Sequence, residues 1–417
     1  MNREASPPRS IHWKWWITAL LLLATTLNYM DRQTLASVAK RITDEFQLNQ
    51  EQYGDIEFAF GWGFAAGSLI LGILADVISV RWLYPLVLLG WSATGFLSGM
   101  THGYLPMLAC RGLLGFFESG QWPCALRTTQ AILSGGQRSL GNSVLQSGAS
   151  LGAIFTPLIL RFMVAGNPAV GAWRPAFMMI GALGLVWIVV WLASVRQGDF
   201  TVSRAKADDS PSALAWWREI YRDRRFWALV VMVIAINIIW HIIRAWLTKF
   251  LQQGRHYSEA DALLISSGFY IATDVGCLLS GAAALWLTRR RFDSHHARLW
   301  VFGVCSAITA LTSLTGLLPK GGLLLAMLYI VGAAALGLFP CYYSFTQELS
   351  ARHVGKATGL LSAIGWLVAS PLQKYFGRLV DQTHSFDLGI SLIGWVPCVA
   401  LAAMLIFWRN NPESESR

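Results

Sequence analysis

Arg111 and Glu118 stand seven residues apart in Arg111-Gly112-Leu113-Leu114-Gly115-Phe116-Phe117-Glu118-Ser119-Gly120, inside a run otherwise apolar enough to cross a bilayer. Seven residues are about two helical turns, so the two side chains share one face, roughly 10 Å apart along the axis. A charge at mid-membrane costs roughly 2.5–3.5 kcal/mol on insertion scales, so a lipid-facing helix would not keep two. The pair is expected to face a polar cavity between helices, and such a cavity is a pathway for ions or polar solutes. Burial favours the neutral acid of Glu118 and a neighbouring Arg111 favours the carboxylate; that competition is what a proton carrier needs. A static ion pair holding helices together is the structural alternative. Gly112, Gly115 and Gly120 are expected to let neighbouring helices approach closely.

Other ionic residues sit in apolar runs. Asp31 and Arg32 lie late in the first, in Asn28-Tyr29-Met30-Asp31-Arg32. Arg244 lies in Trp240-His241-Ile242-Ile243-Arg244-Ala245-Trp246, and Asp274 in Ala272-Thr273-Asp274-Val275-Gly276. An arginine is permanently charged and presents a planar fork suited to a carboxylate. Arg244 could instead snorkel to an interface, and His241 reads more simply as an interhelical contact than as a proton relay. Lys374, Arg378 and Asp381 follow at spacings of four and three, which places them on one face; snorkelling or an outer gate are the readings.

These residues need a scaffold of membrane helices. The chain is 54% hydrophobic and 13% charged, with 20 Trp among 417 residues, whereas soluble domains average about 25% charged. Repeated apolar runs near the length of a bilayer crossing define an all-α polytopic membrane protein. Twelve spans are expected, near 14–38, 53–76, 82–100, 104–130, 139–163, 173–194, 226–250, 260–286, 299–318, 322–348, 355–380 and 387–408. They form an N-terminal six-helix half (14–194) and a C-terminal one (226–408). A tail (1–13), a cytoplasmic linker (195–225) with a surface helix around Trp216-Trp217-Arg218, and a tail (409–417) complete the chain. With both termini cytoplasmic, 21 of the 33 Lys and Arg fall inside, seven in outer loops and five within spans. This bias orients the chain as a multi-pass protein of the inner, cytoplasmic membrane. It also removes the nucleic-acid reading of the net charge of +10. The six cysteines show no metal spacing or disulfide framework.

The halves repeat weakly. Pro123-Cys124 with Thr129-Gln130 returns as Pro340-Cys341 with Thr346-Gln347, and Arg138, Gly141 and Pro157 return as Arg352, Gly355 and Pro371. Related halves of this kind place substrate at the midplane between them.

Gly72-Ile73-Leu74-Ala75-Asp76-Val77-Ile78-Ser79-Val80-Arg81 closes the second span. It resembles the loop signature of the major facilitator superfamily, with Gly72 for close helix contact and Asp76 and Arg81 pairing at helix ends. Val80 stands where that signature commonly has Arg, and the second-half counterpart, Gly281 to Arg290, has Leu285 in place of Asp. Asn28 to Arg32, taken with Arg111, Gly115, Glu118 and Gly148-x-x-x-Gly152 with Pro157, resembles the anion:cation symporter family over nearly the whole chain. That family includes hexuronate and galactonate transporters and the vesicular glutamate and sialic acid transporters.

The resemblance implies a major facilitator fold. It gives Arg32 the substrate carboxylate, Asp31 and Glu118 the coupled protons, and Arg111 the role of partner to Glu118. It also makes Arg244 a second guanidinium facing Arg32, and Asp274 a gating or structural partner for Arg244. Tyr29, Gln146, Trp62 and Ser370 are the remaining substrate-binding candidates. Two departures make the pocket less polar than an aldonate site: Phe64 replaces a Tyr, and Ile364-Gly365-Trp366 occupies a region where galactonate-type members place Asn.

The expectation is therefore a secondary transporter, not an enzyme, acting as a monomer in the lipid bilayer. It would carry a small organic anion with protons, with sodium left open, no organic cofactor and no metal. An organophosphate:phosphate antiporter and a non-transporting sensor of the same fold are the alternatives; Asp31 and the Arg111–Glu118 set argue against an exchanger.

Overall fold

The computed structural model describes residues 10–133, 135–196, 199–200, 220–290, 292–349 and 354–408. Residues 409–417 and most of 1–13 and 195–225 lie outside the described residues, including the expected surface helix at Trp216-Trp217-Arg218. The described residues are helical and contain no strand.

The helices are α1 (Ile11–Ser37), α2 (Ala39–Glu45), α3 (Gln50–Val77), α4 (Val80–Ser98), α5 (Tyr104–Glu118), α6 (Gln121–Ile132), α7 (Gly135–Val164) and α8 (Arg174–Ser194). They continue as α9 (Arg224–Lys249), α10 (Glu259–Arg289), α11 (Ser294–Thr309), α12 (Gly322–Leu349), α13 (Val354–Ala369), α14 (Pro371–Thr383), α15 (Asp387–Ile393) and α16 (Val396–Phe407). A π turn, Phe250–Gly254, prolongs α9, and a 3-10 stretch, Ala310–Leu317, prolongs α11. Among the described residues these fall into twelve successive segments, because α2 continues α1 through Val38 and α5–α6, α13–α14 and α15–α16 are each one crossing with a break. Eight of the segments are by themselves long and apolar enough to cross a membrane. Leu69, Phe162, Leu278 and Val399 stay exposed along them, as hydrocarbon permits and water would penalise.

Local chemistry sets the helix limits. Ser10 caps α1 by accepting from the Trp13 amide at 3.2 Å. Asn49 and Gln52 form a reciprocal capping box at the start of α3, at 2.8 and 3.0 Å. The break between α5 and α6 falls directly after Glu118. Pro123 has no amide to offer the Ser119 carbonyl, and Gly120 turns back to the Phe117 carbonyl at 3.1 Å. Pro371 separates α13 from α14 for the same reason.

Two compact units result. The first takes the described residues of Met1–Lys206, Ala245–Ser267 and Gln373–Arg378; the second takes those of Ala207–Arg244, Gly268–Leu372 and Leu379–Arg417. Thus α9, α10 and α14 each supply residues to both. In the first unit α1 packs on α7, α3 on α5 and α4 on α8. Trp187 and Trp191 stack at 5.0 Å, and their indoles donate to the Leu20 and Arg81 carbonyls. In the second unit Phe226, Met232, Phe302, Leu338, Phe345 and Met404 form one apolar core.

The α3–α5 contact decides where the ionic residues meet. Gly63 abuts the Gly112 carbonyl, Gly67 the Phe116 carbonyl, and Gly115 the Phe60 carbonyl, each too close for a Cβ. Helices without lipid-driven attraction gain their packing from such backbone approach. Gly72 is different: a Cβ there would meet nothing within 4 Å. The expected close contact at Gly72 is not made, because the neighbouring Leu71 carries the buried face and reaches Gly120.

Gly115→Ala is expected to force α3 from α5 and to destabilise the protein by about 1–3 kcal/mol, the cost of overpacking. Thermal unfolding in detergent should show a lower midpoint, whereas Gly72→Ala should leave it in place.

Candidate functional site

Five ionic side chains converge in the first unit, and all are withdrawn from solvent: Arg111 and Glu118 at 0% exposure, Asp31 at 2%, Glu57 at 3% and Arg32 at 5%. Arg32 of α1 donates through Nε to Glu118 Oε2 at 2.6 Å. Arg111 of α5 brings Nη2 to 3.5 Å from Glu57 Oε1 of α3. Both guanidinium groups lie over one ring, Phe60, with centroid distances of 5.3 Å for Arg32 and 4.8 Å for Arg111. Arg32 also stacks on Phe64 at 4.9 Å and Tyr29 at 5.1 Å. A cation desolvated over aromatic faces gains up to about 2 kcal/mol, which offsets part of its burial cost.

Asp31 lies within electrostatic reach of Glu118, Arg111 and Arg32. Its Oδ1 points toward Gly95 of α4, where a Cβ would come within 2.8 Å of it. Asn28, one turn earlier on α1, is fully buried. A polar ladder continues from this region: Tyr84 donates to Gln121 Oε1 at 2.7 Å, and Gln121 donates to Thr25 Oγ1 at 2.8 Å.

The structure therefore gathers Tyr29, Asp31, Arg32, Arg111 and Glu118 and gives Glu118 a bond from another helix, beyond the within-helix partner that its spacing indicated. Phe64, read from sequence as a lost hydroxyl, is part of the surface that holds Arg32. Trp62 is 51% exposed, and its ring contact is Phe58 at 5.0 Å. Gln146 is exposed on α7. Asp76 occupies the last turn of α3 and Arg81 the first turn of α4, with the Arg81 guanidinium over Trp82 at 5.1 Å.

Within the first unit, the start of α3 is tied by further ion pairs. Lys374 reaches Asp55 at 3.0 Å and Glu51 at 3.5 Å, and Arg378 reaches Glu51 at 2.7 Å. Arg41 binds Glu259 at 2.6 Å, and that hydrogen bond pushes the guanidinium further above its ordinary value. Lys249 is fully buried over the rings of Tyr53 and Trp246, at 4.3 and 5.5 Å.

In the second unit, Arg244 is buried near the end of α9. Asn237 donates its amide to the Val233 carbonyl at 2.7 Å, which turns its oxygen to His241 Nε2 at 3.0 Å. That nitrogen therefore carries a hydrogen. The imidazole lies against the Trp366 ring at 4.1 Å. Gly365 leaves the space beside the Asn237 amide, so an amide from α9 stands beside the α13 position where the sequence lacks one. Ser370 turns its hydroxyl onto the Trp366 carbonyl at 2.5 Å, and Asp274 is half-buried on α10.

Sequence reasoning passed over Glu57, Phe60 and Asn237, took Asn28 only as part of the first-span motif, and counted Lys249 in an outer loop, whereas it closes α9 fully buried. The signal for Glu57 was available, since it is a carboxylate inside the second apolar run, subject to the same cost as Glu118. Nothing in the sequence marks Phe60 among 21 phenylalanines.

The family model described as Major Facilitator Superfamily matches residues 21–373. The probable L-galactonate transporter of Escherichia coli (strain K12) is 24% identical, over 96% of this chain and 90% of that protein. The hexuronate transporter of the same strain is 22% identical, over 96% and 95%. The probable sulfoacetate transporter SauU of Cupriavidus necator is 23% identical, over 94% and 93%. Among solved structures, a bacterial homologue of the human lysosomal transporter Spinster, inward-facing and unoccupied, superposes with a TM-score of 0.82 at 17% identity. It covers 97% of this chain and 100% of that one. A D-xylose–proton symporter gives 0.74 at 16% identity, over 97% and 99%. At those identities the structural likeness carries the fold alone.

Removing one partner of a buried pair strands the other charge, so Arg32→Ala and Glu118→Ala are each expected to destabilise by about 3–5 kcal/mol. The double variant should cost less than their sum. Chemical denaturation of the four proteins in detergent measures the coupling, and strict additivity would refute the pair.

Proposed function

Because the chain belongs to the Major Facilitator Superfamily, whose members span the membrane and transport solutes, we propose that it carries a small organic anion together with protons across the inner membrane. The anion is a sugar acid or a related small carboxylate, moved by alternating access of a centrally held site, with both chain termini in the cytoplasm. The single observation that carries this reading is the Arg32–Glu118 pair: a permanently charged fork, buried among aromatic faces, whose counter-ion is a titratable acid.

The chemistry follows from exchange of partners. An arriving carboxylate takes the guanidinium of Arg32, because two oxygens match its two parallel N–H donors. Glu118 is then a buried carboxylate without Arg32, and protonation removes that cost. Anion entry and proton uptake are thus linked at one side chain. Asp31, within electrostatic reach of Glu118 and both arginines, is the second proton-carrying candidate. Arg111 keeps a positive charge nearby while Glu118 titrates. Tyr29 and the aromatic faces around Arg32 line the anion's approach, and Arg244 is the candidate for a second contact. Sugar-acid relatives support the substrate class. The relative named for sulfoacetate supports a class defined by a small charged head group rather than by a particular sugar.

The test is a thermal-shift screen of purified protein against D-galactonate, D-glucuronate, galactarate, sulfoacetate and glycerol 3-phosphate, repeated with Arg32→Lys and Arg32→Ala. A carboxylate should raise the wild-type midpoint and lose its effect in both variants, since the ammonium keeps the charge and loses the fork. Loss of a charged hydrogen bond of about 1.5–3 kcal/mol corresponds to roughly ten- to hundredfold weaker binding. A ligand that stabilises all three proteins equally does not use Arg32. In proteoliposomes an imposed acid gradient should drive accumulation of that anion; exchange indifferent to the gradient would establish an antiporter instead.

A further inference from the structure

We propose that Glu57 is a further proton-binding residue of the ion cluster, exchanging protons with the Gln50 end of α3 and linked to Glu118 through their shared partner Arg111. This rests on the proton-coupled reading above and names an additional site within it.

Glu57 is 3% exposed, and Arg111 Nη2 lies 3.5 Å from its Oε1. Arg111 lies on the same helix as Glu118, seven residues before it. One guanidinium therefore stands between two carboxylates, Glu57 level with it and Glu118 about 10 Å further along the axis. Phe60, over which both arginines lie, keeps the two guanidinium groups side by side. The cluster holds three carboxylates against two guanidinium groups, and Arg111 can neutralise Glu57 or Glu118. When an anion takes Arg32, a guanidinium charge is missing from the set. Whichever acid then lacks one binds a proton, its carboxylate becoming a neutral carboxyl, because an uncompensated buried charge costs several kcal/mol. A proton on Glu57 with Arg111 turned to Glu118, and a proton on Glu118 with Arg111 turned to Glu57, are two states of the same charge. In passing between them one acid releases its proton to water and the other binds one as Arg111 changes partner, so the cluster keeps its charge.

The position favours Glu57 as the point of entry. It lies seven residues from the start of α3, about 10 Å deep, whereas Glu118 closes the far end of α5. The turns of α3 before Glu57 carry Glu51 and Asp55, which are partly solvent-accessible and bound to Lys374, and Asp55 also accepts from the Tyr104 hydroxyl at 3.1 Å. The charged groups facing the first half of α3 include Arg111 and Glu118 of α5, Asp31 and Arg32 of α1, Lys249 at the end of α9, and Lys374 and Arg378 of α14. Lys249 lies over Tyr53, one turn before Glu57, and its positive charge disfavours a bound metal cation there.

The experiment compares wild type, Glu57→Gln and Glu57→Asp in proteoliposomes containing a trapped pH dye. A mixture of D-galactonate, D-glucuronate and galactarate serves as the anion. Anion-driven proton entry is one readout, and the thermal shift given by the same mixture is the other. Glu57→Gln should lower proton entry by roughly 100-fold, the order of magnitude lost with a positioned acid–base group, while more than half of the thermal shift remains. Glu57→Asp should recover part of the proton entry. Proton entry and thermal shift falling in step in Glu57→Gln would make Glu57 a structural anchor for Arg111 and overturn the proposal, as would unchanged proton entry. A wild-type protein that binds the anion yet admits no protons overturns the coupled reading itself, and this proposal with it. Should the variants not fold, carbodiimide labelling of the wild type decides. Glu57 modified in acidic buffer with anion present, and spared in alkaline buffer, supports a protonated Glu57; no modification in either overturns it.

Discussion

A guanidinium cannot lose its charge, and in a bilayer it cannot keep it without company. That constraint shapes the first unit. Arg32 and Arg111 are both buried, so acids must come to them from other helices, and aromatic faces must cover what the acids leave open. Glu118 meets Arg32 at 2.6 Å and Glu57 meets Arg111 at 3.5 Å, while Phe60 carries both cations on one ring. The Glu57–Arg111 and Phe60–Arg111 contacts form only because α3 lies against α5 at backbone distance. Gly63, Gly67 and Gly115 permit that approach, each facing a carbonyl where a methyl group would collide. The glycines and the charges are thus one device, the first bringing the helices together and the second giving them a reason to stay.

The helix breaks belong to the same logic. Glu118 is the last residue of α5, immediately before the turn that Gly120 and Pro123 produce. A side chain at such a point has the turn's backbone polarity nearby, which suits the change of partner proposed for this acid. Ser370 and Pro371 produce the corresponding break between α13 and α14. The unit boundaries run through α9, α10 and α14 rather than between them, so the compact first unit is assembled from more than a contiguous half of the chain. Its additional segments bring Lys249, Lys374 and Glu259 to α2 and the first turns of α3.

Substrate chemistry and charge chemistry are separable in the proposed function. There the cation–acid pairs answer to a small anion, and the rings around Arg32 set what else is accepted. Phe64 offers a face and no hydroxyl, so its contribution is to hold the arginine rather than to read a sugar. The Asn237–His241–Trp366 group of the second unit supplies polar and stacking surface from α9 and α13, with the imidazole hydrogen fixed by the Asn237 amide.

What the sequence by itself determined was the class of fold and the kind of chemistry. Apolar runs of bilayer length, Lys and Arg gathered in alternate loops, and ionic residues stranded inside spans are local or additive properties, readable without coordinates. The involvement of Arg32, Arg111 and Glu118 in one polar setting was legible for the same reason, since a buried charge is expensive wherever it occurs. Which acid answers which arginine was not, because partners 54 and 86 residues apart in the chain, Glu57 with Arg111 and Arg32 with Glu118, are chosen by helix register and glycine contacts. Glu57 carried the same signal as Glu118 yet lacked a neighbour in sequence to reveal its use. Gly72 shows the converse: a glycine placed as if for close packing has open space around it, because the turn of the helix that makes the contact is decided only when the neighbouring helix is in place.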